Sequence, residues 1–251
     1  MIKLYFSVLS LVLFSVFSTA LNAKMLFEST ENRISLLELY TSEGCSSCPP
    51  ADRWLSKLKQ DRRLWKEFVP VAFHVDYWNY IGWTDRFSSP VYSERQRNYA
   101  RARNISTVYT PGFILNGKEW RSFFGLRRFN PDTPIIAGEL QINIDNNQVV
   151  ASYRPTLKIT RTLVLNIAVL GFDLVTDIKA GENRGKKLTH DFVVLGYDSI
   201  PLSLVEEDYT VTTMLPEVSV EDSHKGFAAW ISYKNDPTPI QAVGGWLDKI
   251  N

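Results

Sequence analysis

The chain has 251 residues, 45% hydrophobic and 22% charged, with 28 Lys and Arg against 27 Asp and Glu. That length suffices for one large core or two modest ones, and the apolar content is too high for a disordered chain. A net charge of +1 provides no basic field for nucleic acid, and 3 His with 2 Cys exclude a multi-cysteine zinc site or a disulfide-rich scaffold.

Residues 1–23 read as a secretory signal: Lys3, an apolar run from Leu4 to Phe17, then small residues allowing cleavage after Ala20 or Ala23. The run is shorter than the roughly 20 residues of a membrane span. Removing it takes Lys3 away and leaves basic and acidic residues equal in number. No later segment is long and apolar enough to span a bilayer, so the expected location is periplasmic or secreted, where disulfides persist.

Ile34–Tyr40 is a short apolar run, expected as a buried strand. Thr41-Ser-Glu-Gly-Cys-Ser-Ser-Cys-Pro-Pro is a turn into a helix expected from about Pro49 to Gln60, with Ala51, Trp54, Leu55 and Leu58 at helical spacing. Phe68–Val75 is a second strand, Tyr77–Pro90 an aromatic connection, and Val91–Arg103 a polar helix. Pro111 opens a short strand that ends in the hairpin turn Asn116-Gly117. After the linker Asn130–Pro134 the pattern changes. Gln141–Ile144 and Val149–Tyr153 flank a second turn, and Thr162–Phe172, Lys187–Asp198, Phe227–Tyr233 and Ile240–Trp246 read as further strands. The expected organisation is an α/β domain over residues 33–135 and a mostly antiparallel, sandwich-like β domain over 136–251.

Cys45-Ser-Ser-Cys48 sits between a buried strand and a helix start. First-turn amides lack internal partners and present partial positive charge, which lowers a nearby thiol below its free pKa of about 8.5. Pro49 and Pro50 suit that first turn, where a backbone N–H goes unused. In this reading Cys45, with its sulfur half-exposed, is the nucleophile, and the more enclosed Cys48 resolves the mixed disulfide. A purely structural bridge is the bland alternative, but a four-residue loop is worth only about 2 kcal/mol by chain entropy, against about 4–5 kcal/mol for a long-range staple. A copper metallochaperone using Cys45, Cys48 and His74 is a second alternative, weakened by the lack of a His- or Met-rich tract. A third is a non-catalytic binding protein whose β domain does the work. No cofactor beyond the dithiol is expected, and no metal.

Asn104–Gly117 looks like the loop, cis-proline, strand and turn of thioredoxins, with Thr110-Pro111 cis. The segments Leu37–Asp52, Ala72–Trp78, Val108–Pro111 and Gly181–Asp191 together resemble an uncharacterised family of secreted bacterial thioredoxin-like proteins (domain of unknown function 1223). The resemblance covers most of residues 33–250 and implies a thioredoxin fold and export, but no substrate. Ser46-Ser47 stands where thioredoxins carry Gly-Pro, which leaves the direction of electron flow open.

The expected substrate is a protein or small-molecule thiol or disulfide. Pro111 and Thr110 would shape its loop, and Trp78, in the aromatic connection, would contribute a wall. Glu38, on the strand entering the motif, is a weaker candidate for proton transfer. His74 and Asp76 end the second strand and read first as structural. Arg95, Arg97, Arg101 and Arg103 read as a solvated face. Glu182, Asn183, Arg184 and His190 mark a charged loop that is either a binding tip or an internal contact.

Overall fold

Strands β8 (Leu163–Phe172) and β14 (His224–Tyr233) explain the architecture, because each is buried on both faces. Along β8 the side chains of Ala168, Leu170 and Phe172 enter one core, while those of Leu163, Leu165, Ile167 and Val169 enter another. On β14, Ala228 and Trp230 join the first core, and Phe227, Ala229 and Ile231 the second. The two-residue period of a strand thus joins two cores through one sheet.

The computed structural model describes residues 24–121, 129–131, 135–218 and 224–247. The expected leader at residues 1–23 lies outside them, as does part of the expected linker. Within that range, an eight-stranded sheet runs in the order β15 (Asp236–Leu247), β14, β8, β11 (Val193–Pro201), β3 (Phe68–His74), β2 (Ser35–Thr41), β4 (Gly112–Leu115), β5 (Lys118–Glu119). β2 pairs in parallel with β3, and β3 with β11; the other neighbours are antiparallel. Helices α1 (Pro49–Lys57) and α2 (Pro90–Arg101) complete the first core. A five-stranded antiparallel sheet, β1 (Met25–Glu28), β6 (Glu139–Asp145), β7 (Gln148–Arg154), β13 (Asp208–Met214) and β12 (Ser203–Val205), closes the second core. β9 (Leu174–Asp177) and β10 (Lys187–His190) form a separate hairpin against α1.

The expectation of an α/β thioredoxin-like domain followed by a β domain is overturned. Strand accounts for 48% of the described residues and helix for 13%, in several β-sheets. The physical reason is that β8, β11, β14 and β15 extend the sheet begun by β2, β3 and β4, so sheet and core run across the boundary expected at 135/136. Locally the reading fares better. Both turns form, with Asn116 and Gly117 at φ 48° and 82° and Asn146 and Asn147 at φ 48° and 65°, the left-handed pair a two-residue hairpin needs. The single strand expected over Lys187–Asp198 is two, β10 and β11. Among the described residues, no helix is long and apolar enough to cross a membrane.

Candidate functional site around Cys45 and Cys48

The chain leaves β2 at Thr41 and turns into α1 through the motif. Cys45 N–H donates to Ser42 O (3.2 Å) and Cys48 N–H to Cys45 O (3.2 Å). Cys48 is the N-cap of α1, and its carbonyl accepts from the amides of Ala51 (2.9 Å) and Asp52 (3.1 Å). Pro49 and Pro50 occupy the first two helical positions, where no donor is wasted. Cys45 and Cys48 are joined as a disulfide with Cα atoms 5.4 Å apart, inside the usual range. The expected half-exposed Cys45 is corrected: Cys45 is 1% exposed and Cys48 0%. Ser46 and Ser47 are exposed instead, with Ser47 Oγ 3.3 Å from Cys45 Sγ.

What covers Cys45 is the loop between β9 and β10. Asn183, fully buried, donates from Nδ2 to both Glu43 O (2.8 Å) and Cys45 O (2.9 Å). Glu182 Oε2 accepts from Ser46 N–H at 3.1 Å, and the hydrogen bonds of Ser46 hold the Glu182 carboxyl below its ordinary range. The charged loop is therefore an internal contact with the motif, made from 138 residues away in sequence.

The second wall comes from the aromatic connection. A Cβ on Gly44 would lie 3.1 Å from Trp78 Cβ, so glycine permits that approach. Trp78 Nε1–H donates to Thr110 Oγ1 at 2.7 Å, and the Thr110–Pro111 peptide is cis. Tyr40 of β2 pairs with Gly112 of β4, which sets Pro111 beside the end of β2. Trp78, Thr110 and Pro111 are thus gathered at the motif.

Glu38 is not. It lies three residues before Thr41, an odd step that turns it to the other face of β2. Thr41 faces Asp52 of α1, whereas Glu38 is buried against α2. Arg95 donates to both its oxygens (2.9 and 3.0 Å), and Tyr40 (2.8 Å) and Tyr99 donate as well. Arg95 thereby departs from the solvated face expected of it, while Arg97 and Arg101 stay exposed with Glu94. Asp76 turns to Ser93 of α2.

Beneath the motif lies a buried ionisable cluster: His74, His190, Glu43, Asp52 and Asp85. His74 Nδ1 is 2.7 Å from Asp85 Oδ2, which also accepts from Glu43 N–H at 2.8 Å. Burial opposes charge on both partners, but their mutual attraction prevails, raising His74 above its ordinary value and lowering Asp85 below its own. His190 lies between Glu43 Oε1 (3.5 Å) and Asp52 Oδ2 (3.8 Å), too far to hydrogen-bond, and both its ring nitrogens lack partners, as does His74 Nε2. Burial pushes the Asp52 carboxyl up against the pull of His190 and His74. Among the described residues no three His, Cys, Asp or Glu side chains form a group able to hold a metal ion.

Sequence reasoning misses Asp85 and the proximity of Glu43, Asp52 and His190. Asp85 stands in a turn-rich stretch whose polar residues look solvated, and His190 becomes a neighbour of the motif only through the β9–β10 hairpin. The one local signal is Glu43, an acid two residues from Cys45.

A family model described as a protein of unknown function (DUF1223) matches residues 36–232. No curated protein matches the chain. A crystal structure of a protein from Agrobacterium tumefaciens is 25% identical with TM-score 0.56, spanning 89% of this chain and 96% of that one. HBP35 of Porphyromonas gingivalis is 14% identical with TM-score 0.57, spanning 88% of this chain and 77% of that one; this likeness concerns the fold alone.

Proposed function

The chain belongs to the DUF1223 family, a description that assigns no chemistry, and from that premise we propose that it is an exported thiol–disulfide oxidoreductase working through Cys45 and Cys48. The observation that carries this reading is a disulfide closed across the N-terminus of α1, directly above a buried pool of acids and imidazoles. A substrate thiolate attacks Cys45 Sγ, the Cys45–Cys48 bond breaks, and the electron pair leaves on Cys48. That sulfur is buried, so it needs a proton; Asp52, whose amide is bonded to Cys48 O and whose carboxyl burial pushes up, supplies it. A second thiolate attacks the mixed disulfide and releases Cys45 as a thiolate beside the N-terminus of α1, the positive end of the helix dipole. Two substrate thiolates are oxidised to one disulfide, and the protein gains two electrons, the proton on Cys48 being the one that Asp52 gave up. Trp78, Thr110 and Pro111 form the wall along which the substrate lies. An oxidising compartment, periplasmic or extracellular, keeps the bridge closed between turnovers.

The test is the Cys45–Cys48 reduction potential, measured by equilibration with defined dithiol buffers, together with turnover of a thiol substrate to its disulfide. A potential above about −300 mV, with turnover abolished in Cys45→Ser, is expected. A potential well below that value without turnover would make the bridge a structural one, which the burial of both sulfurs favours as the second reading.

A further inference from the structure

We infer that the loop following β9 is an anion-binding site that selects small thiols bearing carboxylates as the substrate; this rests on the thiol–disulfide reading above and names its substrate class. The first support is position. Glu182 and Asn183 of this loop are bonded to Ser46 and Cys45, so the loop is anchored on the backbone of the motif.

The second is charge. Lys179, Arg184 and Lys186 line a concavity of about 270 Å³, joined by one acid, Asp177. All three cations are exposed, and Lys179 and Arg184 have no ion pair among the described residues. A chain of net charge +1 otherwise balances its charges, so this grouping is local. Gly185 leaves open space above the concavity, since a Cβ there would meet nothing within 4 Å.

The third support is size. With Cys45 1% and Cys48 0% exposed, the loop bonded to Cys45 has to shift before any sulfur reaches them, and the bulk of a folded partner is a greater obstacle there than that of a small thiol. The concavity is close to the lower end of small-ligand pockets, about 300 Å³. Lys186 Nζ also donates to Asn183 Oδ1 at 2.8 Å, while the other end of that amide holds Cys45 O. A carboxylate that takes Lys186 therefore removes one of the bonds that hold the Asn183 side chain on the backbone of Cys45. The thiolate of the same molecule then attacks Cys45 Sγ, the protein S–S bond breaks, and Cys48 leaves with the electron pair. A second such thiolate releases the substrate as its symmetrical disulfide.

The experiment reduces the oxidised full-length protein with glutathione, 2-mercaptoethanol or cysteamine, each rate divided by its thiolate concentration. Reduction is followed by quenching, alkylation and mass spectrometry. Glutathione should exceed cysteamine by about tenfold at low salt, and the ratio should fall toward unity near 1 M salt, where charges are screened beyond about 3 Å. In Lys179→Gln/Arg184→Gln the glutathione-to-mercaptoethanol ratio should drop severalfold; should that variant not fold, the salt dependence of the wild type decides. Equal rates for the three thiols, or a ratio that salt leaves unmoved, would overturn the inference and leave the oxidoreductase reading standing. No reaction with any of them would overturn both.

Discussion

His74 and Asp85 are buried where neither would ionise without the other, and their pairing makes stability depend on pH in a definite window. His74 titrates above its ordinary 6.5, so its contribution is complete below about pH 6.5 and is lost as pH rises through the raised value. Asp85 titrates below its ordinary 3.8, so its contribution is present above that pH and is lost as pH falls through the lowered value. Asp85→Asn removes the pair and leaves His74 facing an amide. The stability gap between wild type and variant should be widest between pH 3.8 and 6.5, at about 3–5 kcal/mol, and should narrow on both sides. Asp52 has the opposite habit for an acid, since burial raises it and its contribution is lost as pH climbs above 3.8. Urea midpoints across the pH range check the prediction, and a gap independent of pH would contradict it.

At the scale of elements, the β4–β5 hairpin is the clearest case of local sequence deciding structure. Asn116 and Gly117 both adopt positive φ, and Asn116 also binds across to β2, accepting from Leu36 N–H (2.9 Å) and donating to Ser35 Oγ (3.0 Å). Gly117→Ala should lower stability by at least about 1–2 kcal/mol, the cost of the left-handed conformation for a residue with a Cβ. The new Cβ would also lie 2.7 Å from Thr238 Cγ2. Thermal unfolding measures this, and an unchanged midpoint would refute it. The elements of the candidate site were equally legible: β2, α1, β3 and α2 form within a residue or two of where periodicity sets them, except that α1 tightens into a 3-10 turn at Leu58–Gln60. What periodicity cannot give is which face of a strand meets which helix. Glu38 precedes the motif closely in sequence and is separated from it by the thickness of β2.

For the whole molecule, one sheet shared by two cores implies one cooperative unit. Phe68, Phe73, Phe172, Phe192 and Trp230 belong to a single buried cluster, although they come from both halves of the chain. Calorimetry of the intact protein should therefore give one transition, with calorimetric and van't Hoff enthalpies equal. A fragment ending at residue 135 should show no cooperative melting, because β3 would lose its β11 neighbour and the first core its Phe172, Phe192 and Trp230. Two separate transitions, or a cooperatively melting fragment, would argue against this.

The sequence by itself determined the dithiol at a helix start, the two hairpin turns, most strands and the family, because each is written in neighbouring residues: a proline pair, an Asn-Gly step, a run of alternating side chains. Only the tertiary structure decided that the β-rich half continues the first sheet, that Asn183 covers Cys45, and that His190 lies between Glu43 and Asp52. Those contacts join residues more than a hundred positions apart. Burial of both faces of β8 and β14 enforces them, and an apolar run does not reveal in advance how many cores it will serve.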